Sequence, residues 1–171
     1  MTQRENYVFA LVEVCALLAH EQVDQAHVDE LAKSISDDGE LRCPVIVDRQ
    51  SFVILDGHHR VNALKRLGCR LVPAYLLDYG CDSVRVLPRR SGLAVDKSSI
   101  VRAAMHGELF PVKSSRHVFE CVPAEHPVSL AAMKAISNSA GTDSGSVARH
   151  ALDRLVAREA DVNEQRLCHL K

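Results

Sequence analysis

The segment Val53-Ile54-Leu55-Asp56-Gly57-His58-His59-Arg60 predicts a short buried strand that turns sharply into a helix. Its first residues are apolar and β-branched, as in buried strands, and Asp-Gly is a common turn pair. Beyond the turn, apolar residues recur at helical spacing as far as Leu67, and Gly68 follows where a glycine commonly ends a helix. We therefore expect a strand, a turn and a helix in direct succession.

The first turn of this helix has the composition of an anion site. His58, His59 and Arg60 lie where free backbone N–H groups and the helix dipole favour a negative ligand, most commonly phosphate. Two imidazoles and a guanidinium strengthen that preference. Asp56 repels phosphate unless a cation or an acidic hydroxyl lies between them, which suggests Mg²⁺ binding or proton handling. The alternative is an ordinary turn in which Asp56 caps the helix and the histidines are solvated.

The composition predicts one globular domain that acts on small molecules. The chain has 171 residues, of which 47% are hydrophobic, and its net charge of −1 does not favour nucleic acid or an anionic membrane as a partner. Trp is absent and aromatic residues make up only 4%, which argues against a base-stacking surface. The six cysteines form no C-x-x-C pair, so a zinc site is not expected. Since no signal peptide or membrane-length apolar run is visible, we expect a cytoplasmic protein.

The remaining pattern predicts a small sheet with flanking helices. One helix begins at Asp24 and ends before Gly39, and another begins with Asp96 as its N-cap and ends at Gly107. Pro73 favours an edge position or a bulge for its strand. The strands are expected at residues 7–14, 44–47, 52–55, 71–77, 83–87 and 118–122.

Three further polar segments are candidates for chemistry. Glu21, within His20-Glu21-Gln22, lies between an apolar segment and a helix and is either a general base or a surface carboxylate. Residues 113–117 (KSSRH) follow an apolar anchor, Leu109-Phe110-Pro111-Val112, and all five side chains can donate hydrogen bonds. They suit a carboxylate or a phosphate, or form an exposed turn. The basic loop at residues 88–92 is either a substrate contact or solvated.

Residues 127–171 are expected to form a helical tail after a domain that spans residues 1–126. A short helical piece at 131–136 precedes a small, polar and flexible linker at 137–146. Helical spacing then returns at 147–160, and that helix is either structural or an oligomer contact.

Three motifs together resemble the free L-serine kinases of the ParB/sulfiredoxin-like superfamily. They are HEQ at 20–22, LDGHHR at 55–60 and GELFPVKSSRHVFE at 107–120, and the resemblance covers about residues 7–122. It implies an α+β fold with a small mixed sheet and flanking helices. It also implies phosphoryl transfer from ATP or ADP, with Mg²⁺, to the hydroxyl of a free amino acid, with L-serine as the expected acceptor.

The resemblance assigns roles to individual residues. Glu21 corresponds to the glutamate that acts toward the serine hydroxyl, and Asp56 lies next to the transferring phosphoryl group and its Mg²⁺. The implied phosphate site comprises Gly57, His58, His59 and Arg60. The implied nucleotide pocket comprises Pro44, Ile46 and Val47. The implied amino acid site comprises Glu21, Lys113, Ser114, Ser115, Arg116 and His117.

Two departures from the family bear on the acceptor more than on phosphoryl transfer. The archaeal ADP-dependent serine kinase of this family carries a large insertion between the positions that correspond to the strand near Val86 and the helix at Asp96. The connection in this chain is short. An aromatic residue expected near the substrate is replaced by Leu87, Pro88 and Arg89.

Two other functions are alternatives to the kinase. One is a nucleotide-binding ParB-like regulatory module that binds DNA or a protein partner, although near-neutral charge disfavours DNA. The other, sulfiredoxin-like reduction, requires a cysteine in the glycine-turn motif, where this chain has His58 and His59.

Overall fold

The computed structural model describes residues 7–139, which form a mixed sheet with helices around it. No helix within that range is long and apolar enough to cross a membrane. The strands are β1 (Val8–Glu13), β2 (Glu40–Leu41), β3 (Val45–Asp48), β4 (Ile54–Asp56), β5 (Leu71–Leu77), β6 (Val84–Pro88), β7 (Ser115–Phe119) and β8 (Val128–Ser129). The helices are α1 (Gln25–Asp38), α2 (His58–Arg66), α3 (Lys97–His106) and α4 (Leu130–Ser139), and Val14–Ala16 forms one 3₁₀ turn.

The main sheet has four strands in the order β1-β5-β3-β4. Strand β5 is antiparallel to β1 and parallel to β3, while β3 and β4 form an antiparallel hairpin. Strands β6 and β7 form a separate antiparallel ribbon, and β2 pairs with β8. This arrangement confirms the predicted α+β class with a small mixed sheet and flanking helices.

The helix boundaries follow from local capping chemistry. Asp24 accepts hydrogen bonds from the backbone N–H groups of Ala26 and His27 at the start of α1, and Gly39 ends that helix in the left-handed conformation. Asp96 begins α3 with a capping box that includes Ser99. Both helices therefore begin and end where the sequence predicts.

The predicted strand, turn and helix are present as β4, Gly57 and α2. Gly57 has φ of 106°, and a Cβ atom there would lie 2.6 Å from Cγ1 of Val45. Only glycine fits both the backbone conformation and the close approach of β3. Strand β4 therefore passes directly into α2, whose Val61, Ala63 and Leu64 are buried in the core.

Pro73 lies in β5, a central strand, so the expectation of an edge position was wrong. Its partner in β1 is Leu11, but pairing with β3 begins only at Ala74, opposite Val45. At the level of Pro73, β5 therefore pairs with β1 alone, which is a position that tolerates the missing N–H group.

The first part of the expected tail belongs to the main core. Strand β8 pairs with β2, and Val128, Leu130 and Met133 are buried with the sheet residues. These contacts lie beyond the expected domain boundary at residue 126, because α4 closes one side of the sheet. Helix α4 extends to Ser139 and so includes the first residues of the expected 137–146 linker. The rest of that linker and the helix expected at 147–160 lie outside the described residues.

Candidate functional site

A cavity of about 610 Å³ brings the three polar motifs together. The polar residues that line it and that the sequence predicts are Glu21, Asp56, Gly57, His58, His59, Arg60, Lys113, Ser115, Arg116 and His117. His20 and His27 also line it, although the sequence assigned them to no site, and so does Arg89 of the basic loop at 88–92. The cavity therefore has two polar sides, the first turn of α2 and the segment around Lys113.

Backbone pairing places Glu21 next to the Lys113 segment. The N–H group of Phe110 donates to His20 O at 2.8 Å, and Gln22 N–H donates to Phe110 O at 2.8 Å. The Phe110 side chain packs against the apolar cluster behind the site, as its predicted role of anchor requires. Residues that are far apart in sequence are thus held as neighbouring strands.

Glu21 binds the turn at residues 113–115, which we call the acceptor turn. Its Oε1 accepts a hydrogen bond from Lys113 N at 2.7 Å. Its Oε2 accepts bonds from Ser114 N, Ser115 N and Ser115 Oγ, each at 3.1 Å. These bonds fix a Lys113 backbone with φ of 57°, a left-handed conformation that costs roughly 1–2 kcal/mol for a residue with a Cβ. The alternative of a solvated surface carboxylate is therefore wrong.

The acceptor turn is shorter than the predicted loop because strand β7 begins at Ser115 and ends at Phe119, not at residue 122. Pairing of β7 with β6 places Ser115 opposite Pro88 and Arg116 opposite Leu87. Ser114 is fully buried and its Oγ donates to Pro111 O at 2.6 Å. Its hydroxyl is therefore used inside the turn and does not line the cavity.

At the first turn of α2, no side chain caps the helix. The N-cap residue is Gly57, and Asp56 instead pairs with Arg60, with 2.7 Å between Oδ2 and Nη2. The alternative in which Asp56 caps the helix is therefore wrong. The N–H groups of the first turn remain available to an anion from the cavity.

Arg60 is held mainly by the protein itself. Its Nη1 donates to the carbonyl oxygens of Cys43 at 2.7 Å and Pro44 at 3.0 Å, in addition to the bond from Nη2 to Asp56. An arginine side chain has five N–H donors, so two remain for a ligand. Arg60 therefore joins α2 to the start of β3 while keeping part of its guanidinium free.

His58 and His59 are neutral near pH 7 and do not supply the charge expected of them. Burial lowers the pKa of His58 well below its usual value, and neighbouring imidazoles lower it further. Burial also lowers the pKa of His59, followed by the effect of His27. Nε2 of His58 faces the backbone N–H of His20 at 3.4 Å, and Nε2 of His59 accepts from Asp24 N at 3.1 Å. The anion preference at α2 therefore rests on the N–H groups, the dipole and the nearby cations.

Two more imidazoles lie behind the acceptor turn. His20 is buried, with Nε2 3.1 Å from Ser115 Oγ, and burial lowers its pKa although Glu21 opposes the shift. His117 lies 2.8 Å from the Tyr79 hydroxyl, and burial is the main reason that its pKa falls to about 3. Both are therefore uncharged hydrogen-bonding groups that support Ser115 and the wall of the cavity.

Three cations in the cavity are available to a ligand. The side chains of Arg89, Lys113 and Arg116 make no hydrogen bond or ion pair among the described residues. Together with Arg60 they make four cations against the two carboxylates of Glu21 and Asp56. A positive cavity that is open to solvent is suited to bind anionic ligands.

The metal expected at Asp56 has one carboxylate available to it. The Asp56 side chain is 57% exposed at the edge of the cavity. No group of three or more His, Cys, Asp and Glu that could hold a metal occurs in residues 7–139. The site fits Mg²⁺ only where phosphate oxygens and water complete the coordination, which is the usual arrangement for nucleotide-bound Mg²⁺.

A second, mainly apolar cavity of about 380 Å³ adjoins the first. The two cavities share Ile46, Asp56, Arg60 and Val122. Pro44, Tyr75 and residues 122–124 line the second cavity. Val47 is fully buried in the core and lines neither cavity, because alternate residues of β3 face opposite sides of the sheet. Of the three residues expected in a nucleotide pocket, Pro44 and Ile46 thus line the second cavity and Val47 does not.

Comparison with known proteins shows what the chain is similar to. Residues 11–86 match the model of the ParB N-terminal domain. Among solved structures, a free serine kinase in complex with AMP superposes on this chain with a TM-score of 0.66 and 18% identity, over 77% of this chain and 95% of that one. This likeness confirms the predicted fold.

Relatives in sequence include named L-serine kinases. An ATP-dependent L-serine kinase from Staphylothermus marinus is 34% identical over 44% of this chain and 32% of its own length. An ADP-dependent L-serine kinase from Thermococcus kodakarensis is 32% identical over 50% of this chain and 36% of its own length. A ParB-like protein from Sulfolobus acidocaldarius is 38% identical over 54% of this chain and 46% of its own length. The resemblance to free serine kinases is confirmed, while the matched region spans less than half the length of each of these relatives.

Proposed function

We propose that this protein transfers the terminal phosphoryl group of ATP or ADP to the hydroxyl of free L-serine and forms O-phospho-L-serine. The observation that carries the proposal is the placement of two sites across one cavity. The uncapped first turn of α2 faces the acceptor turn, which Glu21 holds by four hydrogen bonds. The similarity to L-serine kinases that use ATP or ADP supports the same reaction.

The donor binds along α2 and into the apolar cavity. Its phosphates accept hydrogen bonds from the N–H groups of Gly57 to Arg60 and from the free donors of Arg60. The nucleobase occupies the second cavity, between Ile46, Tyr75 and residues 122–124. This cavity has the apolar character that a heterocycle requires. The two cavities share Arg60 and Asp56, so one nucleotide can occupy both.

Lys113 lies between donor and acceptor. Lys113 lines the same cavity as the first turn of α2, and its charge is the last of the causes that lower the pKa of His59, after burial and His27. We therefore assign Lys113 to the terminal phosphate of the donor as well as to the acceptor turn. Positioning and neutralisation of charge supply most of the catalysis of phosphoryl transfer.

Asp56 is the protein ligand for Mg²⁺ in this proposal. The ion, when bound, neutralises charge on the phosphate oxygens. The pair with Arg60 holds the Asp56 carboxylate at the edge of both cavities. The carboxylate is thereby kept beside the phosphate position and does not turn toward the helix N-terminus, where it would compete with the anion.

Glu21 orients the serine hydroxyl and accepts its proton. The bond from the serine oxygen to phosphorus forms as the bond from phosphorus to the bridging oxygen of ATP or ADP breaks, and ADP or AMP leaves. Oε1 of Glu21 accepts one bond, whereas Oε2 accepts three, so Oε1 retains capacity for a hydroxyl. A base placed in this way contributes about 10²–10⁴-fold to the rate.

The proposal is tested by incubating the protein and Mg²⁺ with ATP or ADP and a panel of L-serine, L-threonine and L-homoserine. Phospho-amino acid is then measured by mass spectrometry. We expect O-phospho-L-serine with at least one nucleotide. The absence of any phospho-amino acid with every pair contradicts the proposal.

A second candidate function is a nucleotide-binding regulatory module. The match of residues 11–86 to the ParB N-terminal domain and the ParB-like relative favour it. A gel-shift assay with duplex DNA at low salt distinguishes the two candidates, because contacts with the phosphate backbone weaken steeply as salt rises. The net charge of −1 predicts no shift.

A further inference from the structure

We propose that Arg89 binds the α-carboxylate of the acceptor and makes a carboxylate obligatory for substrate binding. This inference rests on the proposed function. It concerns a residue of the basic loop at 88–92, for which the sequence favoured a solvated loop over a substrate contact. The structure distinguishes the two arginines of that loop, because Arg89 lines the cavity and Arg90 does not.

The backbone fixes Arg89 beside the acceptor turn. Arg89 N donates to Ser114 O at 2.9 Å, which extends the pairing of β6 with β7 by one residue. The side chain of Arg90 donates to Val112 O on the other side of Lys113. The loop is thus tied to both ends of the turn that Glu21 holds, and its position is set before any ligand binds.

The guanidinium of Arg89 is available to a ligand in the cavity. Among the described residues it makes no hydrogen bond or ion pair, whereas Arg60 has three bonds and Arg90 has one. It lines a cavity with Arg116 and Lys113, and the mutual repulsion of these cations is unfavourable. An anion between them removes that repulsion and uses the planar donors of arginine in pairs.

The identity of the anion follows from the position of Arg89. In the proposed function, the first turn of α2, Arg60 and Lys113 already bind the phosphates of the donor. Arg89 and Arg116 lie on neighbouring strands at the acceptor side, since Arg116 pairs with Leu87 in β6. The only anionic group of a free hydroxy amino acid is its α-carboxylate, because the reacting hydroxyl is neutral. We therefore assign the carboxylate to Arg89, with Arg116 as the neighbouring cation.

The test compares Arg89→Ala with Arg85→Ala, a matched control that removes an exposed arginine from the same strand outside the cavity. Loss of a charge-assisted pair predicts a weakening of L-serine binding by about tenfold or more for Arg89→Ala, both in KM and in calorimetric Kd. The KM for nucleotide should stay within about twofold, and Arg85→Ala should match the wild type. L-serinamide, which lacks the carboxylate, should bind both the wild type and Arg89→Ala equally weakly.

Two results would overturn the inference. One is unchanged L-serine affinity in Arg89→Ala, and the other is a weakened nucleotide KM in place of a weakened L-serine KM. Calorimetry also separates this inference from the proposed function. Binding of L-serine that depends on Arg89, without turnover, removes the kinase and keeps the carboxylate site, whereas no binding of L-serine to the wild type refutes the site.

Discussion

The carboxylate of Glu21 holds Lys113 in a left-handed backbone conformation, with 2.7 Å between Oε1 and the Lys113 backbone nitrogen. Glu21 fixes the acceptor turn, and in the proposed reaction it also orients the acceptor hydroxyl. A substitution of Glu21 therefore affects both the geometry of the turn and the transfer of the proton.

Glu21→Ala and Glu21→Gln should separate these functions. We expect Glu21→Ala to abolish turnover and leave the Kd for nucleotide within a few-fold, because α2 and the apolar cavity do not depend on Glu21. Glu21→Gln keeps the shape and part of the hydrogen bonding, so it should retain L-serine binding better than Glu21→Ala. Its rate should fall by about 10²-fold or more. Phosphoserine formation near the wild-type rate by either variant would remove Glu21 from the mechanism.

Lys113→Gly and Lys113→Ala should separate backbone strain from charge. Both remove the ammonium, and we expect both to weaken nucleotide binding about tenfold or more. Only glycine adopts the left-handed conformation at φ of 57° without strain. The free energy of unfolding of Lys113→Gly should therefore be about 1 kcal/mol higher than that of Lys113→Ala. Denaturant unfolding and nucleotide titration measure the two effects. Full nucleotide affinity in both variants would exclude Lys113 from the donor site.

Gly57→Ala should disrupt the junction of β4 and α2. The new Cβ would lie 2.6 Å from Val45 Cγ1 at a φ of 106°, so we expect a loss of at least about 2 kcal/mol in the free energy of unfolding. Gly68→Ala is the matched control, since Gly68 also has a positive φ of 82° but has open space around it. Equal losses in chemical denaturation would mean that contact with Val45 is unimportant.

The buried imidazoles should make the protein sensitive to mild acid. The pKa values of His20, His58 and His117 are lowered in the folded state, chiefly by burial, so the unfolded chain binds more protons below about pH 6.5. Their contribution to stability is complete above that pH and is lost as pH falls toward the folded values, about 3 for His117. Each group steepens the loss by up to about 1.4 kcal/mol per pH unit.

Denaturant unfolding between pH 7 and pH 5 measures this slope. In His117→Gln, the slope of unfolding free energy against pH should fall by the equivalent of about one bound proton. Glutamine does not titrate, and it still bonds the Tyr79 hydroxyl. A wild-type stability that does not change over this range would contradict the assignment of neutral buried imidazoles.

Met133→Ala tests whether α4 belongs to the core. Met133 is fully buried, so the substitution should cost about 2–5 kcal/mol of unfolding free energy. Met105→Ala, at a side chain that is 63% exposed, should change it by less than about 0.5 kcal/mol. A small effect at Met133 would mean that the chain beyond residue 126 is an appendage, as the sequence suggested.

Local chemistry was sufficient to predict much of the fold. Asp24, Gly39 and Asp96 end or begin helices through their own hydrogen bonds or backbone preferences, and these act over a few residues. Tertiary pairing decided the features that were predicted wrongly. Strand β7 begins at Ser115 because β6 lies beside it, and Pro73 is tolerated in a central strand because β3 begins one residue later.

The site was predictable in its residues but not in their bonds. The motifs around Glu21, Gly57 and Lys113 do line one cavity. No sequence pattern indicated that Arg60 bonds Asp56 or that burial keeps His58 neutral, because both depend on the packed structure. The sequence likewise could not tell that Arg89 lines the cavity or that Ser114 and Val47 do not. Which face of a strand or turn is buried depends on the element that packs against it.

The most direct test of the proposed reaction is its stoichiometry, followed by ³¹P NMR with L-serine, Mg²⁺ and either ATP or ADP. The account predicts a new phosphate monoester resonance of O-phospho-L-serine that grows in equal amount with the ADP or AMP formed, and no ester with Glu21→Ala. Release of inorganic phosphate without the ester, or an unchanged nucleotide with both donors, would contradict the account.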